Sequence, residues 1–74
     1  MTATLRASSG IKDYLGGKPE VTISAGRTVR ETLVDLGIPP EVIALVIVNG
    51  EARDKEYVIL DGDAIRVMAV IGGG

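Results

Sequence analysis

The chain has 74 residues, no cysteine and no histidine, and eight Lys and Arg against ten Asp and Glu give a net charge of -2. That length supports one small domain with a marginal core, and the missing residue types exclude disulfides, thiolate or imidazole metal sites and the commonest general base. The charges are of mixed sign and Tyr14 and Tyr57 are the only aromatics, so no basic run or stacking platform is available for nucleic acid.

Met1–Arg6 lacks the apolar centre of a signal peptide, and no apolar run approaches the roughly 20 residues that span a bilayer. The expectation is a soluble, cytoplasmic protein with no membrane contact. Thr2–Ala7 alternates weakly and predicts a strand with Ala3 and Leu5 on one face. Ser8-Ser9-Gly10 ends it, Ile11–Leu15 is a short, partly apolar piece, and Gly16-Gly17-Lys18-Pro19 is a turn signal. Glu20–Ser24 alternates cleanly, with Val21 and Ile23 on one face. These two strands predict an antiparallel hairpin of unspecified register.

A helix follows. Thr28-Val29-Arg30-Glu31 has the capping-box pattern, a Thr N-cap with Glu three residues later. Val29, Leu33 and Leu36 form an apolar stripe, and Arg27 and Glu31 are spaced for a small surface contact. Gly37 is expected to cap the C-terminus, and Pro39-Pro40 stops the helix. At about two turns it needs a sheet to pack against.

Val42–Val48 is an almost unbroken apolar run that suits a central strand, with Val46 and Val48 on one face and Leu45 and Ile47 on the other. Asn49-Gly50 is a turn dipeptide, and Glu51–Lys55 is expected to be an exposed, charged connection. Tyr57–Leu60 reads as a short strand or a helical turn, and Asp61-Gly62-Asp63 turns the chain again. Ala64–Ile71 is the last strand, expected in mid-sheet beside and parallel to the first. The order predicts an α+β unit: a mixed sheet of about four to five strands with one main helix on one face, the β-grasp arrangement.

One domain is expected over residues 1–71, followed by Gly72-Gly73-Gly74 as a flexible tail. Three glycines at a free end are not held by local structure. Without a Cβ on Gly73 or Gly74, such a cord can thread a narrow channel and present an unhindered carboxylate.

The capped helix Thr28–Leu33, the strand ending Val46-Ile47-Val48-Asn49-Gly50, the Leu60–Asp63 turn and the terminal Gly73-Gly74 occur in the order seen in ubiquitin-like sulfur carriers. Over essentially its whole length the chain resembles the ThiS and MoaD group. The resemblance implies a carrier rather than an enzyme, binding no cofactor or metal of its own. An E1-like adenylating partner would use ATP and Mg²⁺ to make an acyl-adenylate at the terminal carboxylate. Sulfur from a persulfide donor would then leave a thiocarboxylate for a sulfur-accepting synthase, as in thiamin or molybdopterin (molybdenum cofactor) biosynthesis. By position Gly74 would carry the reactive carbonyl, Gly73 the flexible step behind it, and Gly72 would lengthen the cord.

Three extended residues reach only about 10 Å, so the body must dock at the partner's channel and the partner must supply the positive charge for the phosphate chemistry. If Ile65, Val67 and Ala69 pack under the helix, Met68 and Val70 lie on the uncovered face, where Leu45 and Ile47 can join them. Apolar patches of this sort mark protein-binding surfaces, and Met adapts to several partners. Arg66, Ile71 and Gly72 complete the candidate partner-binding set. Two other readings stand beside the carrier: a ubiquitin-like modifier joined to lysines through Gly74, and a β-grasp interaction module with an incidental tail. A ferredoxin-type β-grasp is excluded, because no cysteine is present for an iron–sulfur cluster.

Overall fold

β1 (Thr2–Ala7) and β2 (Glu20–Ser24) form the expected antiparallel hairpin, in a register running from Thr2 opposite Ser24 to Arg6 opposite Glu20. The structure, a computed structural model, describes residues 1–8 and 10–69. Between the strands Lys12–Leu15 makes a 3₁₀ turn, and this compact connection buries Ile11 and Leu15 in the core.

The helix, α1 (Val29–Asp35), begins with the capping box intact. Glu31 N–H donates to Thr28 Oγ1 at 3.1 Å, and Thr28 N–H donates to Glu31 Oε1 at 2.9 Å. The next two free donors of the first turn find non-local acceptors: Val29 N–H reaches the Tyr57 carbonyl at 3.0 Å and Arg30 N–H the Lys55 carbonyl at 2.9 Å. Every amide that an isolated helix would leave unpaired at this end is therefore satisfied. At the other end Leu36, not Gly37, is the capping residue. Gly37 follows it at φ 79°, with its N–H on the Val34 carbonyl and Ile38 N–H on the Leu33 carbonyl. Both bonds need a left-handed residue after the cap, which glycine adopts without steric cost.

The expected contact between Arg27 and Glu31 does not form. Arg27 pairs with Asp35 instead, because the Glu31 carboxylate is already held by Thr28.

Pro40–Val42 is a 3₁₀ turn, so the central strand β3 (Ile43–Val48) starts one residue later than the apolar run suggests. A register irregularity between Ile43 and Leu45 leaves Ala44 and Leu45 both exposed. Beyond it the pleat is regular, with Val46 and Val48 buried.

Asn49 (φ 51°) and Gly50 (φ 87°) make a two-residue turn into β4 (Glu51–Arg53). The segment expected to be a connection is thus in part a strand, pairing antiparallel with β3 from Val48 opposite Glu51 to Val46 opposite Arg53. All three β4 residues are exposed, so main-chain hydrogen bonds and the positive-φ turn hold it there, without help from side-chain burial. Tyr57–Leu60 is neither strand nor helical turn. It has no regular structure beyond one bridge, Val58 to Thr28, and buries Ile59 completely.

The last strand, β5, is described over Ala64–Ala69; Val70 and Ile71, the expected end of it, and the tail 72–74 lie outside the described residues. β5 runs parallel to β1 and antiparallel to β3, giving one five-stranded mixed sheet in the order β2-β1-β5-β3-β4. The inner face supplies Ala3, Leu5, Ile23, Val46, Val48, Ile65 and Val67 to the core, against Val29 and Leu33 of α1 and the flanking Ile38 and Ile59. Each Val, Leu or Ile among them contributes about 1.5–3 kcal/mol by leaving water. This is the predicted β-grasp, with one main helix on one sheet face.

Candidate functional site

Strand alternation sends the side chains between the core positions to the face that α1 does not cover. On β5 these are Arg66 and Met68, and on β3 they are Leu45 and Ile47. Leu45 lies directly opposite Met68, and Ile47 directly opposite Arg66. Leu45 is 40% exposed, Met68 and Ile47 are half-buried and Arg66 is exposed. The structure therefore brings together four of the partner-binding residues expected from sequence. Val70, Ile71 and Gly72, together with Gly73 and Gly74, lie outside the described residues.

Two residues that the sequence reading passed over join this group. Arg6 is the register partner of Arg66 across the parallel β1–β5 pair, which sets two guanidinium side chains next to each other. Such like-charge neighbours are mildly unfavourable. Glu20 offsets this from the far side, with Oε1 3.5 Å from Arg6 Nε, an exposed pair worth at most about 1 kcal/mol. Among the described residues Arg66 makes no ion pair. Ser8 extends the strand pairing beyond β1, donating its N–H to the Val67 carbonyl at 3.3 Å and accepting from Ala69 N–H through Oγ at 3.4 Å. Arg6, Ser8, Pro19, Arg66 and Met68 together border an open depression of about 250 Å³ at this end of the sheet. No local signal could have found Arg6 or Ser8, because the register of a parallel pair is set by the whole fold.

The start of β5 is anchored by a polar cluster around Asp63, which is only 6% exposed. Its carboxylate accepts from the Tyr57 hydroxyl at 2.7 Å, from Leu60 N–H at 2.9 Å and from Asn49 Nδ2 at 2.8 Å. Asn49 Oδ1 in turn accepts from Ala64 N–H at 2.9 Å. These bonds, the Tyr57 hydroxyl foremost, hold Asp63 below the usual carboxylate pKa against the opposing effect of burial. The same bond to Asp63 holds the Tyr57 phenol above its ordinary value. No buried side-chain nitrogen or oxygen among the described residues lacks a hydrogen-bond partner. The cluster is structural: it fixes the turn that launches the strand leading to the tail.

Among the described residues there is no group of three or more acidic side chains that could hold a metal ion, and no helix is long and apolar enough to cross a membrane. The sequence from residue 3 to residue 71 matches the model of the Mut7-C ubiquitin family. The chain belongs to that family. As a Mut7-C ubiquitin domain it shares its fold with SAMP1 from Haloferax volcanii, at 19% identity and a TM-score of 0.70 with all of both chains covered. A second structure, of H. volcanii small archaeal modifier protein 1, matches at 17% identity and a TM-score of 0.70, covering 95% of this chain and 98% of that one. At these identities the likeness establishes the ubiquitin-like β-grasp. No curated protein matches the chain.

Proposed function

We propose that this ubiquitin-family domain is a sulfur carrier, a co-substrate whose Gly74 carboxylate is activated by an E1-like adenylating enzyme. The observation that carries the reading is the apolar strip of Leu45, Ile47 and Met68 beside Arg66 on β5, the strand whose sequence continues into Gly72-Gly73-Gly74. The strip is a docking face for the partner's body, and the glycines are the part that enters its active site. Gly74 carries the reacting carbonyl and Gly73 the hinge behind it.

In the proposed sequence a Gly74 carboxylate oxygen attacks the α-phosphorus of ATP, and pyrophosphate leaves with Mg²⁺ supplied at the partner's site. A persulfide sulfur displaces AMP from the acyl carbon, and a thiol then cleaves the sulfur–sulfur bond to leave a thiocarboxylate. This species donates sulfur to a synthase in thiamin or molybdopterin biosynthesis or a related pathway. A carboxylate is a poor electrophile, so the adenylate supplies the leaving group that the chain itself lacks. The setting is the cytoplasm.

A second reading is conjugation of Gly74 to lysines. It is favoured by the fold relative being named a small archaeal modifier protein, and it uses the same adenylate. ATP–pyrophosphate exchange with an adenylating enzyme from the same organism tests the shared step. Lysine-linked adducts in extracts indicate the modifier, and a free thiocarboxylate indicates the carrier. Both require Gly74 to be the last residue of the protein in the cell, which its intact mass determines. Absence of exchange with an enzyme shown to be active would leave only a β-grasp interaction module.

A further inference from the structure

We infer that the Asn49-Gly50 peptide is a spontaneous deamidation site which the fold holds closed and which, once reacted, no longer supports the Asp63 cluster. The inference does not depend on the carrier reading. Gly50 has no Cβ to hinder its amide nitrogen, so that nitrogen can attack Asn49 Cγ. A nitrogen–carbon bond forms, the Cγ–Nδ2 bond breaks and ammonia leaves, taking up the proton of the attacking amide. Water then opens the resulting succinimide at either carbonyl, giving aspartate or isoaspartate. Water is the only co-reactant.

In the folded chain three hydrogen bonds oppose this reaction. Asn49 N–H donates to the Ala64 carbonyl at 2.9 Å, Nδ2 donates to Asp63 Oδ1 at 2.8 Å, and Oδ1 accepts from Ala64 N–H at 2.9 Å. The carboxamide is thus directed across the turn to residues 63 and 64. Attack needs the reacting atoms within about 3–3.5 Å in a suitable orientation, so the carboxamide must first leave both side-chain partners. The Ala64 N–H polarises the carbonyl and would by itself favour attack, but that bond is lost in the rotation that attack requires. Restraint therefore outweighs activation, and the reaction belongs to the unfolded chain.

The product differs from the reactant at the position the cluster depends on. A carboxylate at residue 49 replaces the donor facing Asp63 with a second acceptor, and two carboxylates at hydrogen-bonding distance cannot both stay ionised without cost. Isoaspartate adds a backbone atom to the two-residue turn that closes Val48 onto Glu51. Either product loses the Nδ2 bond to Asp63 and so weakens the tie between the β3–β4 turn and the start of β5.

The test incubates the full chain at mildly alkaline pH, in buffer and in guanidinium chloride sufficient to unfold it, and follows deamidation of residue 49 by peptide mass spectrometry. The expected result is a rate at least roughly tenfold higher in the unfolded chain, since only there is the attack geometry freely sampled. Asn49→Asp should melt below Asn49→Gly, which removes the amide without adding charge, and adding Asp63→Asn to Asn49→Asp should recover most of the difference. Equal rates in the two states, or equal melting of Asn49→Asp and Asn49→Gly, would overturn the inference. If neither variant folds, the rates on the unaltered chain decide alone.

Discussion

The Tyr57 hydroxyl donates a 2.7 Å hydrogen bond to Asp63 Oδ2, and this bond is the largest cause of the opposite pKa displacements of the two side chains. Asp63 binds its proton less tightly in the folded chain than when unfolded. Its contribution to stability is present above the unfolded carboxylate pKa of about 4 and is lost as pH falls through the lower folded value. Tyr57 binds its proton more tightly when folded. Its contribution is intact below about pH 10 and is lost as pH rises toward the folded pKa. Melting temperature against pH should therefore be flat in the middle and fall on both flanks. Tyr57→Phe should shallow both flanks, and Asp63→Asn should lower stability at neutral pH by about 1–3 kcal/mol by setting an amide donor against the donors that now meet the buried carboxylate. Unchanged flanks in Tyr57→Phe would show that the bond does not govern the titration.

Met68 and Leu45 face each other on the sheet face opposite α1. Met68→Asp places a carboxylate at a half-buried position open to water, so the expected loss of stability is about 1 kcal/mol or less. The neighbouring Val67→Asp would bury that charge in the core and should prevent folding. Thermal melting separates the two variants. On the proposed function, Met68→Asp should also weaken docking to the adenylating enzyme, measured by calorimetry.

The helix termini give a third pair of outcomes. Thr28→Ala removes the side-chain acceptor of Glu31 N–H and should cost roughly 1 kcal/mol. Gly37→Ala forces a side chain into φ 79° and should cost about 1 kcal/mol or more, although open space surrounds the position. Chemical denaturation with an unchanged slope would read each as a change in stability alone.

Much of this architecture is legible in the residues, and the exceptions share a cause. The alternation in Glu20–Ser24 and the Thr28–Glu31 cap are local signals, and both predict what is found. Strand β4 is not legible, because Glu51, Ala52 and Arg53 are all exposed and only pairing with β3 makes them a strand. Nor does any local pattern show that Tyr57 and Lys55 lend their carbonyls to the first turn of α1. At the candidate face, the pleat of two strands predicts that Leu45, Ile47, Arg66 and Met68 share a side. The adjacency of Arg6 to Arg66 follows from a parallel register that joins residues 60 apart in number and leaves no mark on either strand.

On the proposed function, with Gly74 as the last residue, the tail carries a register prediction of its own. Adding one alanine after Gly74 moves the terminal carboxylate by about 3.3–3.6 Å, comparable to the whole near-attack distance of roughly 3–3.5 Å, and adds a Cβ where a channel suited to glycine would admit none. Deleting Gly74 leaves the carboxylate short. Both variants should retain the melting curve and partner affinity of the parent while losing ATP–pyrophosphate exchange. Exchange at the native rate in either would remove Gly74 from the role assigned to it.

The measurement that bears most directly on the carrier proposal is the intact mass of the chain after incubation with its adenylating enzyme, ATP, Mg²⁺, a persulfide donor and a thiol. The predicted result is a gain corresponding to one oxygen exchanged for sulfur, located by fragmentation at Gly74 and absent when ATP is omitted. An unchanged mass with an enzyme that adenylates other substrates, or sulfur found anywhere but Gly74, would contradict it.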